Sequence, residues 1–126
     1  MSNNKVTLGK LFAQQFGNFP PDDQDKILDF IEHYQSYGFS GLCGKNVPST
    51  RIPPETDNFE ELYSFAQFYA LWHYHIGIPT YETSYFEQYL TSEWLLHYRR
   101  MQRTEIRLVD LSYHPPFRMP TEEYML

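Results

Sequence analysis

The sequence predicts an α+β fold, with N-terminal helices packed on an antiparallel β-sheet formed by the later part of the chain. Three observations lead there. Apolar residues recur at helical spacing as far as Tyr37, β-forming residues dominate from Ala70 onward, and a Gly- and Pro-containing stretch separates the two. At 126 residues the chain is long enough for one ordinary core and too short for two, so residues 1–126 read as a single domain. Within it, residues 1–38 are expected to be helical, 39–58 a loop, and 59–126 mainly antiparallel sheet.

Each element has its own local reason. Leu8, Leu11, Phe12 and Gln15 fall at helical spacing, and Gly17-Asn18-Phe19-Pro20-Pro21 breaks the pattern. Asp22, Asp23 and Asp25 then stand where a helix start favours negative charge, and Ile27, Phe30, Ile31 and Tyr34 supply one apolar face up to Gly38, a candidate C-cap. Phe39 to Asp57 has no periodicity but carries Gly41, Gly44, Pro48, Pro53 and Pro54, so it reads as a long loop that a short helix or strand can interrupt. Ala70 to Pro79 reads as a strand. Period two puts Leu71, His73 and His75 on one face, and Trp72, Tyr74, Ile76 and Ile78 on the other, buried one. Tyr81 to Leu90 is expected to be a loop. The clearest feature comes last: Ser92–Arg100 and Glu105–His114 form an antiparallel hairpin around Met101-Gln102-Arg103-Thr104, stopped by Pro115-Pro116. A symmetric register places Trp94, Leu96, Tyr98, Val109 and Leu111 on one face. The other then holds His97, Arg99, Asp110 and His114 among Leu95, Ile106 and Leu108.

Composition narrows the function classes. Ten Lys and Arg against sixteen Asp and Glu give a formal net charge of −6, which argues against general DNA binding by this chain on its own. The single cysteine, Cys43, excludes an intrachain disulfide and a multi-cysteine zinc site, and fits a reducing compartment. No run approaches the ~20 apolar residues of a membrane span, and the first residues lack the apolar core of a signal peptide. The expectation is a cytoplasmic protein that does not engage a membrane.

The chemically loaded residues are His73, His75, His97 and His114, with Arg99, Arg100, Arg103 and Arg107 nearby. Three readings fit them. They can be half-buried sheet residues, with arginine stems covering apolar surface. They can form a metal site, because His-x-His on a strand is a real ligand pattern, with His97, His114 or Asp110 as a third ligand. Or they can cleave RNA without metal. Histidine serves as acid or base near neutral pH, arginine's fork suits phosphate, and tyrosine stacks on bases.

The order of elements and particular residues add a resemblance. Phe30-Ile31 through Gly38, Gly44-Lys45, Trp72-His73-Tyr74-His75-Ile76, Thr91 to Tyr98 and Arg107 to Pro115 together span about the last three quarters of the chain. This layout resembles the RelE-like toxins of bacterial toxin–antitoxin pairs, most nearly the YafO type. The resemblance implies a microbial RNase architecture and ribosome-dependent, metal-free cleavage of mRNA without a cofactor, which inhibits translation. It also implies a cognate antitoxin that covers the site. Carried over by position, Tyr113 and His114 are the proton-transfer candidates and Arg99 or Arg107 the phosphate holder, with His73, His75 and His97 as further catalytic candidates. Lys45, Arg51, Tyr98, Arg100 and Arg103 are the RNA-binding candidates. Two departures stand out: the family is usually basic, and its loop is shorter than Phe39–Asp57. Part of the acidity is local to Asp22, Asp23, Asp25, Asp29 and Glu32, while Arg99 to Arg107 holds four arginines against Glu105 alone, so the chain can be dipolar. From a different class, the sequence also fits a non-enzymatic protein-interaction module, such as a phage or mobile-element inhibitor. A third alternative is a small metal-binding enzyme using His73 and His75.

Overall fold

The computed structural model describes residues 3–83 and 89–126. The fold is α+β, with three α-helices, a five-stranded sheet and a short C-terminal 3-10 helix, Glu122–Met125. The strands are β1 (Lys5–Leu8), β2 (Asn46–Pro48), β3 (Leu71–His75), β4 (Trp94–Gln102) and β5 (Glu105–Tyr113); the helices are α1 (Lys10–Phe16), α2 (Pro21–Tyr37) and α3 (Phe59–Phe68). Spatial order is β1-β5-β4-β3-β2. All neighbours are antiparallel except β1, which runs parallel to β5, so the sheet is mixed and not purely antiparallel.

Three local expectations change. Leu8 was read as the start of a helix, but Lys5–Leu8 is a strand; its hydrogen-bond partner lies a hundred residues away, where no local period can reveal it. Within the stretch expected to be mainly sheet, Phe59–Phe68 is a helix, opened by Asn58 in the left-handed region with Glu60 and Glu61 in the first turn. The hairpin is tighter than expected, since pairing continues to Gln102 and Glu105. The expected loop Tyr81–Leu90 includes residues 84–88, which lie outside the described residues; beside it, Glu82 pairs with Thr91 and Gly44 with Leu90.

Both faces of the sheet carry apolar clusters. Phe12 of α1 and Ile27, Phe30 and Tyr34 of α2 share one buried cluster with Tyr74, Leu96, Tyr98, Ile106 and Leu108. On the other face Ala66 of α3 and Met125 join Leu71 and Val109. The strand-period division of β3 therefore appears in the structure, with Tyr74, Ile76 and Ile78 buried against the helices and Leu71 opposite. For β5 the symmetric register does not hold. A bulge between His97 and Tyr98 on β4 leaves Val109 as an extra residue on β5, and one extra residue inverts the alternation. Val109 consequently lies on the face opposite Leu96, while Ile106 and Leu108 join Leu96 and Tyr98.

Candidate functional site

The face of the sheet that carries Leu71 also holds the histidines. His73 and His75 project from β3 two residues apart, His97 pairs with His73 across β4, and His114 follows the end of β5. Ring centroids of His75 and His114 are 5.1 Å apart, those of His73 and His75 6.5 Å, and those of His73 and His97 6.0 Å. His73, His75 and His114 line a cavity of about 740 Å³, joined there by Lys45 and Arg51 from the long loop. Glu82 and Glu93 contribute carboxylates, and Ile52, Leu62 and Met119 contribute apolar wall.

Each ring is fixed through Nδ1. His114 Nδ1 lies 2.9 Å from the Glu93 carbonyl oxygen, an acceptor only, so this nitrogen carries the hydrogen and the neutral ring keeps its lone pair on Nε2. His73 Nδ1 is 2.9 Å from the buried Ser49 hydroxyl. His75 Nδ1 sits between the Ser92 N–H, at 3.0 Å, and the Ser92 carbonyl oxygen, at 3.1 Å, so either neutral tautomer keeps a backbone partner. The backbone of the cavity is drawn together by a close approach at Gly44, where a Cβ would overlap the His75 carbonyl oxygen; His75 N–H in turn donates to the Lys45 carbonyl at 2.9 Å.

Burial favours the neutral form of His73, His97 and His114. His73 is pushed down to about 3 by desolvation, reinforced by His75, His114 and Lys45. His97, fully buried, also falls to about 3 through desolvation, then His73 and His114. The His114 pKa is lowered by partial burial, with Glu93 acting in the opposite direction. His73, His97 and His114 are therefore neutral at pH 7. Among the described residues no three His, Cys, Asp or Glu side chains are placed to hold one metal ion.

The other candidates lie elsewhere. Arg99 donates from Nη1 to the Met125 carbonyl at 2.7 Å and from Nε to the Tyr69 carbonyl at 3.3 Å, tying the C-terminal segment to the sheet. Arg107 Nε donates to Thr7 Oγ1 at 3.2 Å on the neighbouring strand. Arg100 stacks between Phe39 and Trp72, and Arg103 is exposed at the hairpin turn. Tyr98 is buried, its hydroxyl donating to Asn46 Oδ1 at 2.7 Å. Tyr113 is exposed against Trp94, in a separate recess with Asp110. His97 lies beneath His73 and bonds Ser112 through Nε2 at 2.7 Å. Sequence reasoning missed Ser49, Ser92 and Glu93, which meet the histidines only once the sheet is assembled, and Phe117, which packs on His73 from beyond Pro115-Pro116.

A smaller cavity of about 390 Å³ lies on the helix side of β3, lined by Lys26, Cys43, Tyr74 and Tyr81 among others. The two phenol oxygens are 2.9 Å apart, and burial raises both pKa values, so the pair stays protonated. No helix among the described residues is long and apolar enough to cross a membrane. No family model, no curated protein and no solved structure matches this chain.

Proposed function

We propose that this chain is an endoribonuclease toxin that cleaves mRNA on the ribosome by metal-free acid–base chemistry. In this reading it has the RelE-like arrangement of helices on a sheet, acts in the cytoplasm, and is held in check by a cognate antitoxin. The observation that carries the proposal is the meeting of His73, His75 and His114 in one cavity with Lys45 and Arg51. Neutral imidazoles beside two cations suit a phosphodiester whose own 2′-hydroxyl is the nucleophile.

The roles follow from the tautomers. His114 Nε2 takes the 2′-hydroxyl proton, since Nδ1–H is committed to the Glu93 carbonyl. Protonated His75 donates Nδ1–H to the Ser92 carbonyl and passes its Nε2 proton to the departing 5′ oxygen. The P–O5′ bond breaks as the P–O2′ bond forms, leaving a 2′,3′-cyclic phosphate and a 5′-hydroxyl. An anionic phosphodiester favours protonated imidazole, so bound substrate itself stabilises the imidazolium that the acid role of His75 requires. Lys45 and Arg51, which line the cavity, hold the phosphate, the part the resemblance gives to Arg99 or Arg107, which are not among its lining residues.

The test is induced expression without any partner, with growth followed and mRNA 5′ ends mapped. Wild-type protein should arrest growth and generate new ends. His114→Ala should lower cleavage by ~10²–10⁴ while circular dichroism and melting stay as in wild type. Full toxicity of a folded His114→Ala protein, or no new ends with wild type, overturns the reading.

A further inference from the structure

Phe117 has no part in the chemistry above, yet it is 40% exposed at the wall of the histidine cavity. Its ring packs against two imidazoles: the His73 centroid lies 4.9 Å away and the His97 centroid 5.7 Å. A large apolar ring half open to solvent and braced by the half-buried His73 and the buried His97 is an unsatisfied stacking surface. Nearby Ile52 and Pro53 give the cavity an apolar wall, while Lys45 and Arg51 supply positive charge. The lining also carries Glu82 and Glu93, so the ligand that matches the Phe117 plane and the Lys45 and Arg51 cations is planar, with its anionic charge confined to one group. The cavity volume of about 740 Å³ is within the range of small-ligand sites.

We infer that Phe117 is the platform on which one unpaired base of the substrate stacks, so that the cavity receives a single-stranded nucleotide with its phosphate toward Lys45 and Arg51. This rests on the ribonuclease reading and adds to it a substrate class: RNA with a base turned out of its stack, in preference to duplex. Stacking tolerates all four bases, because each has a π-face, so Phe117 sets the requirement for an unpaired base without setting its identity. It also places the scissile phosphate. A base held on Phe117, against His73, brings its sugar and phosphate alongside the neighbouring His75 and His114.

Cleavage on ribosomes programmed with two messages, identical except for one abasic nucleotide beside the mapped cut, tests this. Wild type should cut the abasic message more slowly by roughly 5- to 150-fold at one position next to the cut. Phe117→Ala should show a similar loss on the intact message and no further loss on the abasic one. Phe117→Trp should restore the intact-message rate, which a purely structural role for the ring would not require. If wild type cuts abasic messages at full rate at every neighbouring position, or if Phe117→Ala loses the same factor on both, the stacking role is overturned while the ribonuclease reading stands. If wild type cuts neither message, both fall.

Discussion

His97 shows at single-residue scale what the fold asks of its histidines. It is fully buried, Nε2 bonds Ser112, and Nδ1 has no partner among the described residues. Such a group costs about 1–3 kcal/mol when left unsatisfied. Its pKa and that of His73 are near 3, against 6.5 in an unstructured chain, so between those values the folded state binds fewer protons than the unfolded one. Stability is then full above the unfolded pKa and falls as pH drops toward the folded one. Each imidazole contributes up to about 1.4 kcal/mol per pH unit to that decline. Urea unfolding across about pH 4 to 6 should show the slope, and His97→Leu should make it shallower by about one proton; an unchanged slope would mean that His97 does not titrate on unfolding. His114→Asn offers a cleaner separation of roles. Its amide N–H can still reach the Glu93 carbonyl, but no basic nitrogen remains, so melting should be near wild type while cleavage falls by ~10²–10⁴. The histidines were visible in the sequence because period two on one strand puts His73 and His75 together. The bond from Arg99 was not visible there, because its partner, the Met125 carbonyl, comes from a tail 26 residues further on.

At the scale of elements the bulge at Val109 governs which residues share a face. Alternation along β4 placed Trp94, Leu96 and Tyr98 correctly, and on β5 it held at Leu111 but failed at the inserted Val109 and at Leu108 and Ile106 before it. Nothing in a run of Arg, Leu, Val, Asp and Leu announces a bulge, since every member pairs equally well in a regular ladder. Leu96 is completely buried in the helix-side cluster, and Leu96→Ala should cost roughly 2–5 kcal/mol in two-state denaturation. A change below about half a kcal/mol would remove it from the core. Gly44 couples two elements. Its backbone lies against the His75 carbonyl and its N–H donates to the Tyr74 hydroxyl at 3.0 Å, so Gly44→Ala must push the loop away from β3. That should cost about 1–3 kcal/mol and lower cleavage more than it lowers stability, because Lys45 moves with it. The loop was legible as irregular; this contact was not, because it depends on strand β3 arriving beside it.

Across the whole molecule the charge is divided. Asp22, Asp23, Asp25, Asp29 and Glu32 lie on α2, on the helix side of the sheet, whereas Lys45 and Arg51 lie at the histidine cavity on the other side. Glu82 and Glu93 line the same cavity, so it carries two cations and two carboxylates besides its imidazoles, a different balance from the net −6 of the chain. Two phosphate-neutralising cations predict a slope of about −1.4 for log affinity against log salt on single-stranded RNA. Arg51→Ala should reduce it to about −0.7; a slope unchanged by that substitution would take Arg51 out of the phosphate site. The α+β class was legible because the two hydrophobic periods occupy different halves of the chain. The parallel placement of β1 was not, because four residues carry too little pattern to choose a neighbour. The central claim, that the histidine cavity directs the 2′-hydroxyl of RNA at its own phosphate, is tested most directly by one substrate. This is a message carrying a single 2′-deoxynucleotide at the mapped cut, compared with its ribose counterpart on ribosomes, with and without a chelator of transition metals such as zinc. The account predicts cleavage of the ribose message to a 2′,3′-cyclic phosphate, unaffected by chelator, and no cleavage of the deoxy message at that position. Cleavage of the deoxy message there, or loss of ribose cleavage on chelation that added zinc restores, would contradict it.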